Sequence, residues 1–255
     1  MQNPSLPEIF LRLPIAHRAL HDRSKGVIEN SITAIKAAIA AGYAIEIDLQ
    51  LSKDGQAITF HDESLERLTG QTGFIKDRTA AELSAIKLSG SEDFIPTFAE
   101  VLALIDGQVP LLVEIKDQTL TMSQTDGRLE AEAARLLHGY SGPVAVMSFN
   151  PHSIAHMARL APDIARGLTT SVYDYDDWAP LSPSICDHLR DIPDYDRSSA
   201  SFISHEAAGL NHPRVAELQA KGADILCWTI RSPEAEALAR KTAANITFEG
   251  YLAAK

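Results

Sequence analysis

The chain is short of cysteine, of aromatic residues and of positive charge, and each shortage excludes something. Two cysteines in 255 residues, Cys186 and Cys227, cannot build a disulfide framework, and both read as free thiols of a reducing compartment. Lysine and arginine number 23 against 34 aspartates and glutamates, a formal charge of −11. A duplex nucleic-acid binder must bring cations to phosphates, so this balance speaks against that class while leaving room for a small basic pocket around one anionic ligand. No apolar run reaches the ~18 residues of a membrane helix. The opening MQNPSLPEIFLRLP lacks the charged and apolar regions of a signal peptide. There is no linker, internal repeat or low-complexity tract, no G-x-G-x-x-G after the first strand and no Walker loop. What is present, 45% hydrophobic and 22% charged residues, is an ordinary globular composition. The expectation is one soluble, cytoplasmic domain over residues 1–255, with no nucleic-acid partner and no stable membrane insertion; nothing in the sequence speaks to its oligomeric state.

Short apolar runs alternate with helical patterns. Strands are expected at Pro14–His17, Ala44–Leu51, Ala57–Phe60, Leu111–Lys116, Val144–Ser148, Ala165–Leu168, Ser201–Ser204, Asp224–Thr229 and Asn245–Phe248. Helices are expected at Ser31–Ala41, Thr97–Ile105, Arg128–His138, Pro151–Arg159, Pro213–Lys221 and Pro233–Lys241, with Asn30 or Ser31 and Ser232 as N-caps and Gly42 and Gly222 as stops. This rhythm implies parallel strands with helical crossovers, and at this length a (β/α)8 TIM barrel; an open doubly wound sheet is the alternative. SKDGQ, between Leu51 and Ala57, is too short for a helix, and Asp54-Gly55 signals a hairpin, which reconciles nine strand candidates with eight barrel places. Residues 62–95 read as an insertion after the strand ending at His61, with a short helical patch at Ala80–Lys87. Residues 174–197, rich in Asp, Pro and Ser, read as an irregular stretch at the rim.

In Ala44–Leu51, Ile45, Ile47, Leu49 and Leu51 share one strand face and Glu46, Asp48 and Gln50 the other. A strand with one wet face would show the same alternation. In a barrel, however, one face packs on helices and the other points inward. Two inward carboxylates repel and call for a cation. Leu111–Lys116 repeats the theme with Glu114 and Lys116, which would also suit a structural ion pair at a strand end. Glu46, Asp48 and Glu114 form an all-oxygen set, which favours a hard cation, Mg²⁺ or Ca²⁺, over Zn²⁺. His17 and His61 each end a strand candidate, and barrel sites lie at the C-terminal rim. Two imidazoles and one divalent ion suit displacement at phosphorus, with Arg18 and Lys116 on the non-bridging oxygens.

Ordered motifs then point one way. AHR (16–18), ENS (29–31), EID (46–48), KDG (53–55), HDESLERLTG (61–70), GFIKDRTAAEL (73–83), IPTFAEVL (95–102), VEIK (113–116), MSFN (147–150) and CWTI (227–230) resemble the glycerophosphodiester phosphodiesterase family from residue 16 to about 248. The resemblance implies a (β/α)8 barrel and metal-dependent hydrolysis of glycerophosphodiesters to glycerol 3-phosphate and an alcohol. It implies Glu46, Asp48 and Glu114 as metal ligands, and His17 and His61 as the acid–base pair, His17 being read as base and His61 as acid in the first step. It further implies Arg18 at the phosphate, Lys116 beside the third metal ligand, and Phe149 and Trp228 as aromatic residues of the substrate pocket.

The chain also departs from the family pattern. Ala19 stands where the family has glycine, and because alanine prefers negative φ a differently turned loop is expected. LHDRSKGVI (20–28) lacks the glycine-rich loop, and ITFEGY (246–251) replaces a T-D-x-P-like ending. The histidines at 152, 156, 188, 205 and 212 are expected at the surface, His205 standing out because it follows a strand. Two other functions remain open: a phospholipase-type phosphodiesterase acting on lysophospholipids, and a non-catalytic barrel that binds a phosphate ligand.

Overall fold

The computed structural model describes residues 3–255. Its eight parallel strands close on themselves: β1 (Ile15–Ala16), β2 (Ala44–Leu51), β4 (Leu111–Ile115), β5 (Val144–Ser148), β6 (Ala165–Thr170), β7 (Phe202–Glu206), β8 (Asp224–Ile230) and β9 (Asn245–Phe248). Closure comes from β1, which pairs with β9 on one side and β2 on the other. A doubly wound sheet would leave two free edges, so that alternative is excluded. The ninth strand, β3 (Ala57–Thr59), runs antiparallel to β2, the hairpin read at Asp54-Gly55. Gly55 takes φ 82° there, a left-handed turn that a side chain would disfavour.

Among the described residues ten α-helices accompany the strands: α1 (Ile9–Arg12), α2 (Ile32–Ala41), α3 (Glu66–Thr69), α4 (Ala80–Leu83), α5 (Phe98–Ile105), α6 (Arg128–Leu137), α7 (Pro151–Leu160), α8 (Pro183–Arg190), α9 (Pro213–Ala220) and α10 (Pro233–Ala239). Local chemistry sets their ends. Ser31 Oγ accepts the Ala34 N–H, Gly42 stops α2 at φ 69°, and Thr97 with Glu100 makes a reciprocal capping box.

The outward side chains Ile45, Ile47, Leu49, Val113 and Ile115 pack beneath the helices against Ile35, Phe98, Leu102 and Leu129. Burial of each such side chain contributes about 1.5–3 kcal/mol. The inward side chains at the N-terminal end are also apolar: Ile15, Ala44, Leu112, Ala145, Ala165, Phe202 and Leu226, with Leu6 and Phe10 of the N-terminal segment joining them. That end is therefore filled, and polar inward residues collect at the C-terminal mouth.

The helical patch expected at Ala80–Lys87 ends at Leu83, and four further expectations need correction. Residues 174–197 are not wholly irregular, because α8 starts at Pro183, where proline fits a first helical turn. Ala19 does not take the negative φ expected of alanine: it adopts φ 64°, the left-handed conformation open to glycine, and its N–H donates to the Glu46 carbonyl. β6 runs on to Thr170. His205 neither follows a strand nor lies at the surface. It sits within β7, 1% exposed, with Nδ1 2.7 Å from Thr170 Oγ1, and burial lowers its pKa to about 4.

Candidate active site

Strand alternation brings Glu46 and Asp48 to the inward face of β2, and the β2–β4 register sets Asp48 beside Glu114. All three are buried, and one oxygen from each lies within 4.8 Å of the other two. Oxygens bound at ~2.4 Å on opposite sides of one ion stand about 4.8 Å apart, so the set fits a single hard divalent cation. Burial, followed by repulsion from Asp48 and Glu114, pushes the Glu46 carboxyl well above the usual carboxylate range. A bound cation removes that penalty. Burial acts the same way on Asp48, but the charges of Lys116, His61 and Arg18 and the Asn30 hydrogen bond outweigh it and hold Asp48 below the usual range.

Two cations serve three acids. Lys116 Nζ lies 2.7 Å from Glu114 Oε1 and 3.3 Å from Asp48 Oδ1. The Arg18 backbone N–H donates to Glu46 Oε2 at 2.8 Å, while its guanidinium lies 3.6 Å from Asp48 Oδ2 and donates to Glu29 at 2.7 Å. Asn30 fixes Asp48 twice: its amide donates to Oδ2 at 2.9 Å, and its carbonyl oxygen accepts the Asp48 N–H at 3.2 Å. From Glu29 the ionic chain continues outward. Arg67, on α3 of the 62–95 segment, donates two bonds of 2.8 Å to Glu29 and binds Asp62 at 2.6 Å. That segment therefore reaches the site through one guanidinium.

Each histidine is held through Nδ1. His17 Nδ1 lies 2.5 Å from Glu249 Oε2, and His61 Nδ1 lies 2.7 Å from Asp62 Oδ1. Both rings line the same cavity, with Nε2 left for a ligand. Burial lowers the His17 pKa, against the pull of Glu249. His61 reaches the mouth by an unexpected route. β3 descends antiparallel to β2, Phe60 N–H donates to the Asp48 carbonyl at 3.0 Å, and the next residue is His61.

The far wall is aromatic. Phe149 lies 4.9 Å from Trp178 and 5.5 Å, edge-on, from Trp228, and Tyr173 lies 4.6 Å from Trp178. Cys186 and Leu189 of α8 pack beneath this wall, which gives the 174–197 stretch a structural role.

The cavity, about 150 Å³, is lined by His17, Arg18, Glu46, Asp48, His61, Glu114, Lys116, Phe149 and Trp228, so every residue selected from the sequence meets in one place. Sequence reasoning assigned no place in the site to Glu29, Asn30, Asp62, Arg67, Trp178 or Glu249, and read Asn30 only as a candidate helix cap. Glu29, Asn30, Asp62 and Arg67 lay inside the quoted motifs, and Glu249 inside the altered ending. Trp178 carried no local signal. Cys186 and Cys227 are buried and unpaired. Among the described residues, no helix is long and apolar enough to cross a membrane.

Residues 17–247 match the glycerophosphoryl diester phosphodiesterase family. A glycerophosphodiester phosphodiesterase of Caldanaerobacter subterraneus subsp. tengcongensis is 34% identical over 166 residues, a stretch that spans 61% of this chain and 65% of that relative's length. A phosphodiesterase of Oleispira antarctica, solved in complex with the product sn-glycerol 3-phosphate, is 25% identical with a TM-score of 0.72, covering 93% of each chain. The glycerophosphodiester phosphodiesterase of Thermotoga maritima shares the fold at 20% identity, with a TM-score of 0.68 over 93% of this chain and 94% of that one.

Proposed function

Since this chain belongs to the glycerophosphoryl diester phosphodiesterase family, we propose that it hydrolyses a glycerophosphodiester to glycerol 3-phosphate and an alcohol, with one divalent cation, Mg²⁺ or Ca²⁺, held by Glu46, Asp48 and Glu114. The observation that carries this reading is the convergence of three buried acids, two carboxylate-held imidazoles and two cationic side chains on one small cavity. The product bound by the Oleispira relative is consistent with it.

Arg18 and Lys116 hold the non-bridging phosphate oxygens and orient the ester. His17, its Nδ1 proton directed at Glu249, takes the proton of the attacking hydroxyl on Nε2. That hydroxyl is the neighbouring glycerol hydroxyl or water. His61, aligned by Asp62, donates from Nε2 to the departing alkoxide. If the glycerol hydroxyl attacks, the two roles reverse as water opens the cyclic phosphate. The cation, when bound, neutralises charge on the phosphate and lowers the pKa of the nucleophile. Phe149 and Trp228 wall the substrate pocket.

The cavity falls below the ~300–1,000 Å³ of pockets that take drug-sized ligands, which favours a small polar head over an acyl chain. The test is release of glycerol 3-phosphate from glycerophosphocholine, glycerophosphoethanolamine and a lysophospholipid, with Mg²⁺, Ca²⁺ or chelator. Release needs the cation, the lysophospholipid is the poorer substrate, and His17→Ala and His61→Ala each lower turnover by about 10²–10⁴. Full activity in chelator, or in either variant, refutes the reading.

A further inference from the structure

We propose a second cation site, for a borderline transition ion of the Zn²⁺ class, built from His17 Nδ1, His21 Nε2 and Glu249 Oε2 on the outer side of the catalytic cavity. The three donor atoms lie within 4.8 Å of one another. His17 Nδ1 is 2.5 Å from Glu249 Oε2, while His21 Nε2 is 3.6 Å from that same oxygen, an ion-pair separation longer than a normal hydrogen bond. His21 Nε2 is nevertheless buried, and among the described residues it has no hydrogen-bond partner. An unsatisfied buried imidazole nitrogen is costly, and an ion placed between it and the carboxylate satisfies it.

The local backbone explains the approach. Arg18 and Ala19 both take positive φ, 50° and 64°, so the chain reverses after His17 and His21 returns beside it. Arg231 Nε donates to the other carboxylate oxygen, Glu249 Oε1, at 2.8 Å and orients the group from behind, as partners of ligating carboxylates commonly do.

The donor chemistry separates this site from the acidic one. Two neutral imidazoles and one carboxylate favour Zn²⁺ or Co²⁺, whereas the all-oxygen set of Glu46, Asp48 and Glu114 favours Mg²⁺ or Ca²⁺. Binding requires His17 Nδ1 and Glu249 Oε2 to part to about 3.3 Å, the separation of two ligands at ~2.0 Å in tetrahedral geometry. A cleft of about 730 Å³, lined by His21, Glu249 and Tyr251, reaches two of the three donors, and none of the three acids lines it. It offers a route in that bypasses the substrate and room for water as fourth ligand.

Occupancy has a chemical consequence. An ion on Nδ1 displaces the proton there, and the neutral ring then carries its proton on Nε2, which no longer accepts one. The ion is therefore inhibitory, and this consequence, unlike the binding itself, rests on the role of His17 proposed above.

Metal-stripped protein saturated with Mg²⁺ is titrated with Co²⁺ alone and then with Zn²⁺, followed by visible absorption and calorimetry. One Co²⁺ per chain gives an intense tetrahedral spectrum that Zn²⁺ abolishes by displacement. His21→Gln and Glu249→Gln, each shown folded by circular dichroism, weaken binding about 100-fold or more, beyond the 10–100-fold typical of outer partners; Glu114→Gln retains the spectrum. Undiminished affinity in both variants, or no tetrahedral spectrum in the wild type, overturns the site. In the glycerol 3-phosphate release assay, Zn²⁺ inhibits the wild type, and His21→Gln requires about 100-fold more Zn²⁺ for equal inhibition. A Co²⁺ site without inhibition upholds the ion site and overturns His17 as proton carrier. Absence of hydrolysis in the Mg²⁺-loaded protein overturns the proposed function, and the spectrum still decides the ion site.

Discussion

Replacing Lys116 by methionine keeps the length and apolar character of the side chain but deletes the ammonium that lies 2.7 Å from Glu114 and 3.3 Å from Asp48. Lys116 is only 13% exposed, so water does little to screen the loss. Three acids then face a single cation, Arg18. Removing one partner of a buried ion pair costs about 3–5 kcal/mol. At about 2–4 °C per kcal/mol for a domain of this size, that is a fall in Tm of roughly 6–20 °C. The measurement is thermal unfolding by circular dichroism at pH 7 in chelator. Added Mg²⁺ supplies the missing charge, so it must raise the Tm of the variant more than that of the wild type. The pH dependence has a definite sign. Without the ammonium, the folded-state pKa of Asp48 moves up, so the penalty is absent where both folded and unfolded forms are protonated. It grows as pH rises through the unfolded carboxylate range near ~4. The gap between variant and wild type therefore widens from acid to neutral pH. A variant that melts within about 1–2 °C of the wild type in chelator, or that gains no more from Mg²⁺, refutes the electrostatic account of the site.

Glu29 carries a second pH signature. Burial raises its pKa, but bonds from Arg67 and Arg18 outweigh this and hold it at about 2, against an ordinary value of 4.5. A depressed carboxylate stabilises the fold above pH 4.5, and that contribution drains away as pH falls towards 2. Glu29→Gln should cost at most about 3 kcal/mol in urea unfolding at pH 7, with the difference narrowing below pH 4.5; a pH-independent difference would count against the ion chain. Gly167→Ala tests the packing of the closed end. A Cβ there would lie 2.3–2.6 Å from the buried Phe202 ring, so overpacking of about 1–3 kcal/mol is expected, relieved in part by Phe202→Leu. Additive losses in the double variant would disprove that contact.

Much of this protein is legible from local pattern. Alternation in AIEIDLQL sets Glu46 and Asp48 against Ile45 and Ile47, and only a filled barrel gives both faces something to meet. Ser31, Thr97 and the prolines that open α7, α9 and α10 mark helix starts, because capping is a matter of a few adjacent residues. Asp54-Gly55 marks a hairpin for the same reason. The proposal of a hard cation likewise rests on the type of the three acids alone.

What tertiary structure decided is which distant groups meet. Glu249 stands 232 residues from His17, and only closure of β9 onto β1 puts its carboxylate on the imidazole. Arg67 touches Glu29 across 38 residues because α3 folds back over the mouth. Trp178 joins the aromatic wall because α8 packs beneath it. Ala19 holds a conformation that its own side chain disfavours, within a turn whose Arg18 and Ala19 N–H groups both donate to Glu46. The physical reason is one of range. Propensity, capping and alternation act over a few residues and set the direction of each side chain, whereas the meeting of strand ends depends on barrel closure and register, which are properties of the whole chain.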